Sequence, residues 1–352
     1  MRAKLVKDRV KAGKQAVNEL YNTGYYGRPK GDMLELTLVE TAYLLYRNKI
    51  EVDLDGKVLG FEDFFRTASM RQKYFELKYI VYKDLRERGF YVQPGVIDFR
   101  VYPRGGKPGK TPAKSFVYVS SERIPMPLKD LMKSLNAAEN VRKQMILAIV
   151  DEESDITFYE VKKARLKGEM ENVFTPSEPA FATLLEDRVI VWGEKPSKGM
   201  YEQGFFGKPL DQERLQLSLV ESGYLLEKGI IEVHDRESGN ALEFEEFSRR
   251  ACSIESEFML KYRAYRDMRD LRLVPKTGFK FGTHFRVYKH VNSLENIPHS
   301  GYLVHAIPQD YEFALPVMSR AIRLSNSVRK SMLFAVQSGG KIEYIDIGRI
   351  KM

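Results

Sequence analysis

The chain is written twice, and that constrains its fold more than any other feature. YNTGYYGRP at residues 21–29 returns as YEQGFFGKP at 201–209, LELTLVETAYLL from Leu34 returns from Leu215 as LQLSLVESGYLL, and FEDFFRTAS from Phe61 returns from Phe244 as FEEFSRRACS. KYIVYKDLRERG from Lys78 matches KYRAYRDMRDLR from Lys261, DFRVY ending at Tyr102 matches HFRVY ending at Tyr288, and NVRK ending at Lys143 matches SVRK ending at Lys330. Matches that keep their order over such a stretch, in segments of unbiased composition, mark a tandem duplication. At 352 residues there is room for each copy to bury a core of its own.

Each copy reads as two modules. The front carries apolar residues at helical spacing, in LTLVETAYLLYRNK and LSLVESGYLLEKG and in the stretches that follow, so it is expected to be mostly helical or mixed. The rear consists of short β-branched and aromatic runs such as FRVY, SFVYVS, GYLVHAI, ILAIV and LFAVQ, separated by Gly, Pro and Asn. Between them PVMSRAIRLSNSVRK reads as one amphipathic helix. The fold class is therefore α/β, made of α+β modules: two diverged copies, each a helical or mixed module followed by a small α/β module with a mixed sheet. The expected boundaries are 1–92 and 93–168 for the first copy, a linker at 169–185 where periodicity is lost, and 186–275 and 276–352 for the second.

A single cysteine, Cys252, leaves no internal disulfide and no zinc site built from several cysteines, which fits a reducing, cytoplasmic setting. The basic N-terminus MRAKLVKDRVKAGKQ lacks the apolar core of a signal peptide. No run of about 18 apolar residues could span a bilayer, so no membrane partner is expected. The net charge of +9 suits a polyanionic partner without identifying one.

The copies diverge in their rear modules. The second carries Tyr288 in FRVY, His299 in PHSGYLV and Lys330 in NSVRK, in that order. The first keeps Tyr102 and Lys143, but aligning KSFVYV with HSGYLV puts Lys114 where His299 stands, and a lysine with an ordinary pKa near 10.4 gives up its proton reluctantly. Arg323 precedes Lys330 by two helical turns, so both are expected on one helix face, and its counterpart is Asn136. The reverse difference lies between the last two strands, where the first copy has Asp151, Glu152, Glu153 and Asp155 and the second has no acid in the turn. Singly, these residues have plain readings: a strand-edge tyrosine, a turn histidine, a solvated helix face, a polar hairpin. His284, His290 and His305 lack metal-ligand spacing and read as structural or solvated.

The three motifs together resemble those of the archaeal tRNA-intron endonucleases, in the form with two fused, diverged units, and the resemblance covers nearly the whole chain. It implies that the rear modules are nuclease-like, the first degenerate and the second catalytic. It implies further that Tyr288 is the general base for the ribose 2′-OH, that His299 is the general acid for the departing 5′-oxygen, and that Lys330 supports the charge on the phosphorane. Such attack needs a base, an acid and a fixed cation, and neither metal nor cofactor, and it leaves a 2′,3′-cyclic phosphate and a 5′-hydroxyl. The resemblance also implies that Arg323 and Arg349 sandwich a base flipped from an RNA bulge, that the acidic loop 151–155 docks into a second copy of the chain to give a homodimer, and that the substrate is precursor tRNA with a bulge-helix-bulge. Two rivals stand beside it: a non-catalytic RNA-binding or scaffold subunit, and a metal-dependent nuclease using paired carboxylates.

Overall fold

The computed structural model describes residues 1–170 and 174–352. The chain forms two compact units, one of Met1–Lys162 with Glu312–Met318 and Gly348–Met352, the other of Lys163–Tyr311 with Ser319–Ile347. Of the expected linker at 169–185, residues 171–173 lie outside the described residues, and Ala180–Leu184 is a strand of the second copy's front module.

The front modules hold more strand than helical spacing suggested. In the first, a sheet runs in the order Arg28–Lys30, Met33–Thr37, Arg9–Ala12, Arg2–Val6, Glu51–Leu54 and Lys57–Leu59, with its one parallel pair between Arg2–Val6 and Glu51–Leu54. In the second, the order is Lys208–Pro209, Arg214–Leu217, Val189–Trp192, Ala180–Leu184 and Ile231–Asp235, again with one parallel pair. These strands are short and lie largely in residues where the repeat is weakest, so helical periodicity elsewhere masked them.

Helix Leu38–Tyr46 and its counterpart Leu219–Glu227 are apolar nearly all round, which suits a helix buried on every side, and Leu38 through Leu45 are all buried. Each begins with a capping box: Thr37 or Ser218 accepts from the N3 amide while Glu40 or Glu221 reaches back to the cap. The same glutamate also accepts from a glycine amide, Gly27 at 2.8 Å or Gly207 at 3.0 Å. Those glycines are obligatory: φ is +71° and +60°, and an added Cβ would sit 2.8 Å from the Glu35 carbonyl or 2.4 Å from that of Gln216. The repeated GYYG and GFFG signatures are thus the close approach of a turn to a strand.

Two further helices complete each front module, Phe61–Arg71 with Phe75–Glu87 and Phe244–Ile254 with Phe258–Asp270. The rear modules follow. The first is a mixed sheet of Val92–Pro94, Phe99–Val101, Ser115–Ser121, Gln144–Val150 and Ile156–Ala164, whose parallel central pair is joined through helix Leu128–Asn140. The second repeats it with Val274–Thr277, Phe285–Tyr288, Tyr302–Ile307, Ser331–Ser338 and Lys341–Ile350, and with helix Leu315–Ser327 in the crossover. Among the described residues no helix is long and apolar enough to cross a membrane.

Candidate active site

Strand pairing in the second copy brings Tyr288 and Lys330 to one end of the sheet. Phe285–Tyr288 lies antiparallel to Tyr302–Ile307, with Val287 opposite Tyr302, and Tyr302–Ile307 runs parallel to Ser331–Ser338, with Tyr302 beside Ser331. One step further along this register, Tyr288 faces Gly301 and Gly301 faces Lys330. The Gly301 amide donates to the Val287 carbonyl at 3.0 Å and the Ser331 amide to the Gly301 carbonyl at 3.1 Å, which fixes the row. Neighbours across such a row share a face, so Tyr288 and Lys330 flank a residue without a side chain, about 10 Å apart in the backbone. A Cβ at Gly301 would meet nothing within 4 Å, so the floor between them is open. His299, two residues before Gly301 and thus within about 7 Å of it, is exposed in the irregular segment between Tyr288 and Tyr302. Neither its ring nor the Tyr288 hydroxyl has a hydrogen-bond partner among the described residues.

Lys330 is not on the helix, contrary to the sequence reading that put it on one face with Arg323. The helix ends at Ser327 in a Schellman motif: Arg329 takes a left-handed φ of +55°, its amide donates to Asn326, and the Lys330 amide donates to Ser325 at 2.8 Å. The chain leaves the helix there, and the Lys330 Nζ donates to the Ser300 carbonyl at 2.8 Å, which ties the lysine to the residue beside His299. Burial, and then the Arg286 guanidinium, lower the Lys330 pKa from its ordinary value. Arg286 also lies 5.9 Å from the Tyr288 ring centroid, and its buried Nε has no partner among the described residues. The sequence reading overlooked Arg286, although its place two residues before the tyrosine on a strand puts both on one face.

The first copy builds the same row with different side chains. Its pairing of Val101 with Ser115, and of Ser115 with Gln144, places Tyr102, Lys114 and Lys143 in one row. Lys114 therefore corresponds to Gly301, not to His299, and counting back two residues puts Pro112 at the histidine's place. The alignment by sequence slipped by two because it matched Lys114-Ser115 to His299-Ser300 by letter, whereas the ladder sets Ser115 at the place of Tyr302. Proline can carry no proton to a leaving group, so the absence of the imidazole holds with a different occupant. Tyr102 donates its hydroxyl to Gln93 at 2.8 Å, and burial raises its pKa, so it serves as a structural hydrogen bond.

Arg323 is exposed on its helix in the second unit, whereas Arg349, exposed on the last strand, falls with the first unit. Of the acidic turn, Asp151 accepts the Glu153 and Asp155 amides through one carboxylate oxygen and so closes its own loop, and Glu152 pairs with Arg123 at 2.5 Å. Glu153 and Asp155 are the exposed acids with no ion pair among the described residues. His284 and His305 stack with centroids 4.0 Å apart, the first accepting the Ala306 amide, and His290 pairs with Glu169 at 3.6 Å, so all three have structural places. Among the described residues no three His, Cys, Asp or Glu side chains gather as metal ligands.

The second copy thus holds a phenol and an ammonium on either side of an open glycine, with an imidazole within two residues of it, in a duplicated α/β frame. The catalytic C-terminal domain model of the tRNA intron endonucleases matches residues 75–158 and 258–344, and the N-terminal domain model of the same enzymes matches residues 1–65 and 180–248. The chain belongs to the tRNA intron endonuclease family, with both domains present twice. It is 65% identical to the tRNA-splicing endonuclease of Methanococcoides burtonii, over the full length of both chains. It is 62% identical to that of Methanosarcina mazei, over all of this chain and 99% of that one. The relative from Haloarcula marismortui is 35% identical over 97% of each.

Proposed function

We propose that the chain is a tRNA-splicing endonuclease that cleaves precursor tRNA at intron boundaries folded as a bulge-helix-bulge, and that the second copy alone cuts. The row Tyr288–Gly301–Lys330, with His299 beside it, supports this reading most directly. A scissile phosphodiester over Gly301 would have the phenol on one side and the ammonium on the other. Tyr288 takes the 2′-OH proton, the oxygen attacks phosphorus, His299 hands a proton to the 5′-oxygen as its bond to phosphorus breaks, and Lys330 with Arg286 opposes the added negative charge. The products are a 2′,3′-cyclic phosphate and a 5′-hydroxyl. Arg323 stacks on a base unpaired in the bulge, a role for which a planar guanidinium is suited, and Arg349 is a second RNA-binding arginine.

The acidic turn of the first copy holds a second copy of the chain, with Glu153 and Asp155 as the docking charges and Asp151 and Glu152 as the frame of the loop. Changing Glu153 and Asp155 together to Gln and Asn should weaken the dimer at raised salt, and an unchanged sedimentation profile would refute this role.

The decisive experiment on the reaction is His299→Ala on a bulge-helix-bulge RNA in EDTA with analysis of the product ends. Cleavage by wild type in chelator, with cyclic-phosphate ends, and loss of cleavage in the variant are expected. Uncut RNA with wild type would favour the scaffold reading, cleavage that chelator abolishes would favour the metal-dependent one, and a variant within a few fold of wild type would remove His299 as the acid.

A further inference from the structure

Strand register shows how the two tyrosines came to have different hydroxyls. Gln93 pairs with Arg100 in the first copy and Lys276 with Arg286 in the second, so Gln93 and Lys276 occupy the same place relative to Tyr102 and Tyr288. Gln93 accepts the Tyr102 hydroxyl. Lys276 makes no hydrogen bond to Tyr288 among the described residues: its Nζ donates to Glu221 Oε1 at 2.8 Å and to the carbonyls of Phe205 at 3.0 Å and Gly207 at 3.2 Å. That uses every proton an ammonium has. The anchor is the buried capping-box glutamate of the front module, which in the first copy, as Glu40, is bonded to Gly27 and Thr37 and to no lysine among the described residues.

Phe205, held by this lysine through its carbonyl, adopts a left-handed φ of +54° that a bulky residue keeps only under constraint. Its side chain joins Val274, Tyr288 and Val291 in one small buried cluster. The first-copy equivalent, Tyr25, is left-handed as well and packs edge-on against Tyr91, which stands opposite Tyr102 as Val274 stands opposite Tyr288, and against Tyr21, so the seat is shared and the lysine that ties it to the glutamate is particular to the second copy.

We propose that Lys276 is a positioning residue for Tyr288: drawn to Glu221, it leaves the phenol's hydroxyl unclaimed and, through the Phe205 carbonyl, fixes the cluster that seats the ring. The proposal rests on the reading of Tyr288 as general base. Glutamine in the first copy and lysine in the second thus set one tyrosine as a structural donor and the other as a group free to exchange its proton with substrate.

The test is single-turnover cleavage of a bulge-helix-bulge RNA by the full chain, as a function of enzyme concentration and pH, for K276Q, K276R and Y288F. K276Q should cut about tenfold more slowly at saturating enzyme, the loss expected from one new hydrogen bond on the hydroxyl, with half-saturation unchanged within twofold and the alkaline side of the profile moved to higher pH. K276R, which can keep the glutamate and the carbonyls, should follow the wild-type profile. K276Q at the wild-type rate and profile overturns the proposal, as do K276Q and K276R equally slow with unshifted profiles. Y288F as active as wild type sinks the base reading and this inference with it, whereas an inactive Y288F beside an unaffected K276Q sinks this inference alone. Should K276Q not fold, hydroxyl-proton exchange in the wild type decides: fast for Tyr288 and slow for Tyr102 is expected, and equal protection of the two overturns the proposal.

Discussion

The two rear modules share a strand order and a crossover helix but little of their sequence, and a few of the differences fall on the row that holds the candidate site. Both carry the row of three residues at the end of the sheet, the crossover helix, the left-handed arginine that ends it, and an arginine two residues before the tyrosine whose buried Nε has no partner among the described residues. Against this sameness stand Pro112 for His299, Lys114 for Gly301, Asn136 for Arg323 and Gln93 for Lys276. The difference teaches that the frame is held by the core and the strand ladder, which both copies keep, while the residues proposed for the chemistry lie at strand ends, where the frame tolerates other side chains.

The largest expected effects test whether that division is real. Y288F and H299A should each lower cleavage by about 10²–10⁴-fold, the usual worth of a positioned general acid or base, and Y102F should leave the rate untouched. A Y102F variant as impaired as Y288F would mean that the first copy has kept a chemical role.

Next in size is the buried pair that only the second copy has. Burial alone would raise Glu221, but the charge and hydrogen bond of Lys276 outweigh it and hold the carboxyl down to about 2. Its contribution to stability is therefore present above the ordinary value of 4.5 and is lost as pH falls toward about 2. Glu40 goes the other way, since burial outweighs its backbone and Thr37 hydrogen bonds and raises it above 4.5. Its favourable state is the protonated one, fully present below 4.5 and lost as pH rises through the raised value. E221Q should cost about 3 kcal/mol at neutral pH and less on acidification. The cost of E40Q should grow on acidification. Amide exchange followed in each unit separately checks both slopes, and slopes of the same sign would show that the two glutamates sit in equivalent surroundings after all.

How much of this could be read in advance divides along the same line. The duplication, the family and the rear α/β modules were legible because each depends on residue identity at fixed order, and so was the approach of Tyr288 to Lys330 across the ladder. The strands of the front modules were not, because runs such as RAKLV and RVKA are too short to carry a period of two that stands out from helical spacing. The slip at Lys114 has a similar cause: KSFVYV and HSGYLV align well as letters, but only the hydrogen-bond ladder tells which residue faces the tyrosine. Lys330 was assigned to a helix that ends earlier because no glycine marks the stop. Arg286 and Lys276 went unnoticed since their meaning lies in contacts across strands.

A smaller effect concerns substrate. R323N gives the second copy the first copy's residue, and it should weaken binding of a bulged RNA about tenfold, the loss of one stacked base, while a fully paired duplex is bound as before. Equal loss for both RNAs would make Arg323 a phosphate contact and remove the stacking role.

The smallest effect probes the frame itself. Arg142 and Arg329 each close their helix with φ of +55°, a conformation that glycine adopts freely and that costs an ordinary residue about 1 kcal/mol. The hydrogen bonds around them match: the Lys143 amide to Ala138 with Arg142 to Glu139, and the Lys330 amide to Ser325 with Arg329 to Asn326. R142G and R329G should therefore each raise stability by up to about 1 kcal/mol, less the added freedom of glycine in the unfolded chain, and by the same amount in both copies. Denaturant midpoints measure this. Because Arg329 immediately precedes Lys330, R329G also asks whether that side chain does more than close the turn: a stabilised variant that cleaves more slowly would show that the strained arginine is kept for RNA, whereas R142G is expected to cleave at the wild-type rate.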